Sequence, residues 1–117
     1  MTYIDAFVAP VPKSKLDEYF VIAAKMAPMW KAHGVLSVVE TRPDDVPMGK
    51  VTSFPRAVQC GPGEVPVFGY MTYRDRAHRD AVMEAAMADP EIGKLMMEAP
   101  MDGKRMIFGG FTIETDA

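Results

Sequence analysis

The chain has 117 residues, a formal net charge of −3 at pH 7, 49% hydrophobic and 25% charged residues. That length suits a single domain over residues 1–117, the composition excludes a disordered polymer, and the slight acidic balance supplies no basic field for nucleic acid. No apolar run approaches the roughly 20 residues of a membrane span, and residues 2–9 lack the basic and long apolar regions of a signal peptide, so a cytoplasmic protein is expected.

Residues 3–9, YIDAFVA, mix aromatic and branched side chains and then meet Pro10 and Pro12, which predicts a first strand ended by the prolines. Alternation puts Tyr3, Asp5 and Phe7 on one face and Ile4, Ala6 and Val8 on the other. Ser14 with Asp17 three positions on predicts a capped helix start, after which Leu16, Tyr19, Phe20, Ala23, Met26, Ala27 and Trp30 recur at helical spacing. Pro28 inside this helix predicts a kink in its last turns, before Gly34 closes it directly after His33.

Residues 35–42, VLSVVETR, alternate Leu36, Val38, Glu40 and Arg42 with Val35, Ser37, Val39 and Thr41, the pattern of a second strand. PDDVPMGK, residues 43–50, reads as a loop. Pro55 argues against a central strand, so residues 56–60 are expected as an edge strand that turns through GPGE at 61–64. Residues 67–73 predict a third strand, and Asp75 caps a second long helix with His78, Val82 and Ala85 on one stripe. Asp89-Pro90-Glu91 restarts a shorter helix that buries Ile92, Leu95 and Met96, and RMIFGGFTIE, residues 105–114, is the last strand.

The order strand, helix, strand, strand, helix, strand is the ferredoxin-like βαββαβ plan of the α+β class, a four-stranded antiparallel sheet with its helices on one face. The other face is apolar and uncovered, which predicts a homodimer of two sheets packed face to face, a dimeric α/β barrel.

Chemistry-bearing patterns are sparse. His33, His78 and the single cysteine, Cys60, are far apart on different elements, so no metal site and no cofactor is expected, and Asp44-Asp45 suit a turn better than a cation. In DGKRMIFGGF, residues 102–111, Gly-Lys lacks the upstream glycine and following Ser or Thr of a phosphate loop, and it leads into a strand rather than a helix. Gly109 and Gly110 inside that strand predict a bulge or the close approach of another group. The eleven methionines suit an adaptable core or subunit contact.

YIDAFVAPVPKSK, KAHGVLSVVETRPDDVPMGKVTSF, ADPEIGKLM and DGKRMIFGGF occur in this order over nearly the whole chain. In these segments the sequence resembles the DUF1428 (YbaA-like) family of small bacterial proteins. The resemblance implies the dimeric α/β barrel group, whose members include cofactor-independent monooxygenases, haem-degrading enzymes, isomerases and plain binding domains. It carries no catalytic residue across, and fold alone does not choose among these activities.

In such barrels ligands occupy the space between sheet and helices, which directs attention to Glu40. Set among Leu36 and Val38, its carboxylate is expected to have a raised pKa unless Arg42, Arg56 or Lys50 pairs with it. Trp30 and His33 from the end of the first helix, with Phe54 and Tyr70 from later segments, are the other candidates around it. The expected function is binding of a small apolar or aromatic molecule, with Trp30, Arg42, Phe54 and Arg56 as ligand-binding candidates. The alternative is a monooxygenase- or isomerase-like enzyme without a cofactor that moves protons with Glu40, His33 or Tyr70. An RNA-binding or purely structural dimer ranks behind both, because the arginines are interspersed with aspartates.

Overall fold

The computed structural model of the chain describes residues 2–117. Four strands, β1 (Tyr3–Pro12), β2 (Ser37–Thr41), β3 (Glu64–Tyr73) and β4 (Ile107–Thr112), form one antiparallel sheet in the order β2-β3-β1-β4. The helices are α1 (Leu16–Ala32), α2 (Phe54–Ala57), α3 (Arg76–Met87) and α4 (Pro90–Glu98). This is the ferredoxin-like α+β arrangement. No helix among the described residues is long and apolar enough to cross a membrane.

β1 runs through Pro10 and ends at Pro12, the second of the two prolines. Pro10 stands opposite Pro66 on β3, while β4 stops opposite Val8. Pro10 therefore turns its missing N–H towards an edge where no ladder partner remains, and only its carbonyl is used, accepting Asp102 N–H at 3.4 Å.

Ser14 does not cap α1, because Lys13–Lys15 form a 3-10 turn and the helix starts at Leu16 without a side-chain cap. The helix runs through Pro28 and ends as expected at a positive-φ glycine, Gly34, with φ of 118°. Gly34 N–H donates to Lys31 O at 3.0 Å and Val35 N–H to Trp30 O at 3.2 Å, which satisfies two carbonyls that the helix end leaves free.

The expected edge strand at 56–60 is replaced by α2. Ser53 Oγ accepts the Arg56 N–H at 3.1 Å and Pro55 occupies the first turn, so the residue that argued against a strand instead starts a helix. β3 in turn begins earlier than expected, at Glu64.

The helix-facing side of the sheet carries Tyr3, Ala9, Val11, Val67 and Tyr73, all buried, against Leu16, Tyr19, Val35 and Val82. A second layer, between helices, joins Ile22 and Met26 of α1 to Ala86 of α3 and Ile92 of α4. Gly110 lies in β4 without a bulge, and the close approach there is the Tyr3 ring, which a Cβ would strike. The opposite sheet face leaves Phe68, Ile107 and Phe111 exposed.

Candidate functional site

Between the helix-facing side of the sheet and the helices lies a cavity of about 360 Å³. Its floor is made by one face of the strands: Glu40 and Val38 of β2, Met71 of β3, Asp5 and Phe7 of β1, and Phe108 of β4. Gly69 stands between Glu40 and Phe7 in the sheet, and a Cβ there would lie 2.6 Å from the Phe7 ring. The absent side chain is what lets that ring lean across β3 into the cavity floor.

The roof comes from Tyr19, Ile22, Ala23 and Trp30 of α1, and a set of methionines lines floor and roof alike. Met26 belongs to α1, Met71 to β3, Met83 and Met87 to α3, Met96 to α4, and Met101 and Met106 to the segment before β4. Seven of the chain's eleven methionines therefore border this space. Thioether side chains are flexible and polarisable, so such a wall adapts to ligands of different outline. Phe108, 77% exposed, and Met87, 54% exposed, mark where the cavity meets solvent.

Two polar groups of opposite character interrupt the apolar lining. At one end the Tyr19 hydroxyl donates to Glu40 Oε1 at 2.9 Å. Burial pushes the Glu40 carboxyl above the usual carboxylate range, opposed by the Tyr19 hydrogen bond, while burial and the adjacent carboxylate push the Tyr19 phenol far up. Tyr19 thus stays protonated and can only donate to Glu40.

At the other end Arg79 donates to Asp5 at 2.6 Å and to Asp80 at 2.8 Å, and its guanidinium lies over the Tyr3 ring, 5.2 Å from the centroid. At this end the guanidinium is fully engaged by the protein's own carboxylates. The neighbouring Tyr73 hydroxyl is fully buried without a partner in good hydrogen-bond geometry, and burial together with the Asp5 carboxylate raises its pKa.

The structure brings Trp30 and Glu40 to this cavity, with Tyr70 at its border, and places His33, Arg42, Phe54 and Arg56 elsewhere. His33 turns away from Glu40 and bonds Asp89 at 2.8 Å, tying the end of α1 to the cap of α4 and holding the Asp89 carboxyl below its usual range. Tyr70 borders the cavity, but strand alternation sends its ring to the opposite sheet face, where it lies 6.1 Å from the Phe68 ring. Arg42 pairs with Asp17 at 2.8 Å instead of with Glu40, and stacks over Phe20. Phe54 is exposed at the start of α2, and Arg56 donates to the Met48 and Gly49 carbonyls of the preceding loop. A convergence of Glu40, His33 and Tyr70 is therefore corrected to a Glu40–Tyr19 pair.

Tyr19, Asp5 and Arg79 are the side chains that sequence reasoning did not single out. Tyr19 sat in the apolar stripe of the first helix and Arg79 among paired surface charges, so nothing local marked either. Cys60 lies beside Glu64, its thiol pushed up by burial and then by that carboxylate, which keeps it a weak nucleophile. No group of three or more His, Cys, Asp or Glu among the described residues could hold a metal ion.

Several known proteins share this architecture. The chain covers all of a dimeric ferredoxin-like protein from an uncultured marine organism, with a TM-score of 0.61 and 12% identity over 100% of each chain. It also resembles SnoaB, a cofactor-independent oxygenase from Streptomyces nogalater, with a TM-score of 0.57 and 15% identity over 98% of this chain and 93% of that one. Likeness at such identities establishes the fold.

Sequence kinship is much nearer elsewhere. The chain is 45% identical to the uncharacterized protein YbaA of Escherichia coli K12 over 111 residues, 95% of each protein, and the same holds for YbaA of Shigella flexneri. Residues 2–103 match the family model described as "Protein of unknown function (DUF1428)". The chain belongs to the DUF1428 family.

Proposed function

We propose that this protein is a small-molecule-binding homodimer that takes an apolar or aromatic ligand between its sheet and its helices. The observation that carries the reading is the cavity of about 360 Å³ with methionine and aromatic walls and a single carboxylate, Glu40, held by Tyr19. That volume lies within the range of small-ligand pockets, and an apolar lining with few polar groups is their usual chemistry. Binding rather than a filled core is also favoured by the position of Glu40, since a carboxylate beside an apolar space is kept where a ligand can use it.

The homodimer part of the proposal rests on the exposed Phe68, Ile107 and Phe111 of the open sheet face, and a structural neighbour described as dimeric supports it. A cytoplasmic location fits the same picture. A second reading is an oxygenase- or isomerase-like enzyme without a bound cofactor, in which Glu40 acts as general base. The raised pKa of Glu40 favours it, as does the oxygenase among the structural neighbours.

Nile red, a neutral apolar dye, tests the binding reading by fluorescence. Enhancement that is lost on competition with small aromatic molecules is expected, and a protein that leaves the dye quenched under saturating conditions contradicts the reading. Sedimentation at micromolar concentration tests the assembly. A dimer that becomes a monomer on Phe111→Arg is expected, whereas a monomeric parent protein refutes the dimer.

A further inference from the structure

The polar end of the cavity specifies more than apolarity, and the following inference rests on the cavity being a binding site. Glu40 Oε1 accepts the Tyr19 hydroxyl, and no other hydrogen bond or ion pair among the described residues reaches this carboxylate. The second oxygen, Oε2, has no protein donor among the described residues, and Glu40 lines the cavity. An ionised carboxylate only accepts hydrogen bonds and offers about four lone-pair positions, so most of its capacity is left for whatever enters.

The cations are engaged elsewhere. Arg42, two residues along the chain, is paired with Asp17 at 2.8 Å. Arg79, the one Lys or Arg among the cavity-lining residues described, is paired with both Asp5 and Asp80. Glu40 and Asp5 are separated by two strand spacings and two residues along the strand, which corresponds to about 12 Å between backbones. Neutralisation of Glu40 from the far pole is therefore weak.

Three kinds of ligand meet this end differently. A hydrocarbon would displace water from Oε2 and leave the acceptor unpaired, which costs free energy in an apolar site. A carboxylate would place a second negative charge beside Glu40 with no free cation to offset it. An O–H or N–H group would complete the hydrogen bonding that Tyr19 begins. The upward shift of the Glu40 carboxyl by burial agrees with a group short of donors.

We infer that the cavity selects an uncharged aromatic molecule bearing a hydroxyl or N–H donor, seated with that donor on Glu40 Oε2 and its ring between Phe7, Trp30 and the methionine wall. Tyr19 is a positioning residue here, since it fixes the carboxylate rather than the ligand.

Calorimetric titration at pH 8 with 2-naphthol, naphthalene and naphthalene-2-carboxylate, which share one ring system, tests the selection. 2-Naphthol binds at least about tenfold more tightly than either of the others, a difference of about 1.4 kcal/mol. In Glu40→Gln the advantage over the carboxylate falls to within about threefold, because the amide no longer repels an anion. Should that variant fail to fold, the ranking in the parent protein decides alone. Equal affinity for all three, or tightest binding of the carboxylate, overturns donor selection while leaving the cavity as a binding site. Failure of all three to bind overturns both.

Discussion

Two glutamates of this molecule carry the same side chain into opposite circumstances. Glu64, at the start of β3, is filled by the protein: Arg105 donates to both of its oxygens at 2.7 and 2.8 Å, and Gly61 N–H donates at 2.7 Å. These bonds, led by Arg105, hold its pKa down to about 2. Glu40, on β2, receives one hydroxyl and faces a cavity, and burial moves its pKa the other way. A carboxylate with both oxygens engaged by the protein serves the fold, whereas one with an open oxygen beside an apolar space is available to a ligand.

Arg105→Ala is the largest expected perturbation. Arg105 also bonds Asp102 at 2.7 Å and the Gln59 carbonyl at 2.8 Å, so it clasps the segment before β4 to the approach to β3. Its loss leaves two carboxylates near each other without their shared partner, and the fall in Tm exceeds that of any other variant considered below. The pH dependence follows from the depressed pKa of Glu64. Its stabilisation is complete above the unfolded value near 4.5 and is lost as pH falls from there through about 2. Urea unfolding measured from pH 7 to pH 2 therefore gives a flatter acid limb for Arg105→Ala than for the parent. An unchanged Tm and acid limb would remove the clasp from the account of stability.

Tyr19→Phe comes next and probes the other glutamate. The ring stays buried, but the bond to an ionisable group disappears, which costs about 1.5–3 kcal/mol at pH 8. The sign with pH is opposite to that of Glu64. A carboxyl whose folded pKa is raised opposes folding once it ionises, and this penalty fades as pH falls through the folded value towards 4.5. Glu40→Gln accordingly gains stability relative to the parent at pH 8 and loses that gain in acid, as read by urea unfolding at the two pH values. A double-mutant cycle of Tyr19→Phe and Glu40→Gln should be non-additive, because the Tyr19 hydroxyl bonds a charged carboxylate in the parent and only a neutral amide oxygen in Glu40→Gln.

The contrast between the glutamates also explains what could be read from sequence. Alternation along VLSVVETR placed Glu40 on the face that carries Val38, and helical spacing placed Tyr19 and Trp30 on one stripe, so the elements and their inward faces were legible. The Tyr19–Glu40 bond was not, since it joins residues 21 positions apart through a crossing of α1 over β2 that no local pattern encodes. His33 looked like a site residue because it is near Glu40 in the chain, yet the helix end points it to Asp89, 56 residues away. Pro55 was read by its incompatibility with a strand, when Ser53 two residues earlier already offered the cap that makes it a helix start. Gly69 lacked any marker, because its meaning lies in the ring of Phe7 on the neighbouring strand.

Arg42→Ala is the smallest expected effect and the sharpest test of which glutamate environment Glu40 occupies. From sequence, Arg42 was one of three candidate partners for Glu40, with Arg56 and Lys50, and such a pairing would have made that carboxylate a second Glu64, filled and structural. Instead Arg42 reaches Asp17, whose side chain is 93% exposed, and an exposed pair of this kind is worth about 0–1 kcal/mol. Its stacking over Phe20, 4.8 Å from the centroid, adds no more than about 1 kcal/mol at an exposed site. The variant should therefore unfold within about 1 kcal/mol of the parent and bind 2-naphthol with unchanged affinity. If Arg42→Ala instead weakens 2-naphthol tenfold or more, the guanidinium swings to the cavity when ligand enters, Glu40 is neutralised in the complex, and the division between a filled and an open glutamate holds for the free protein alone.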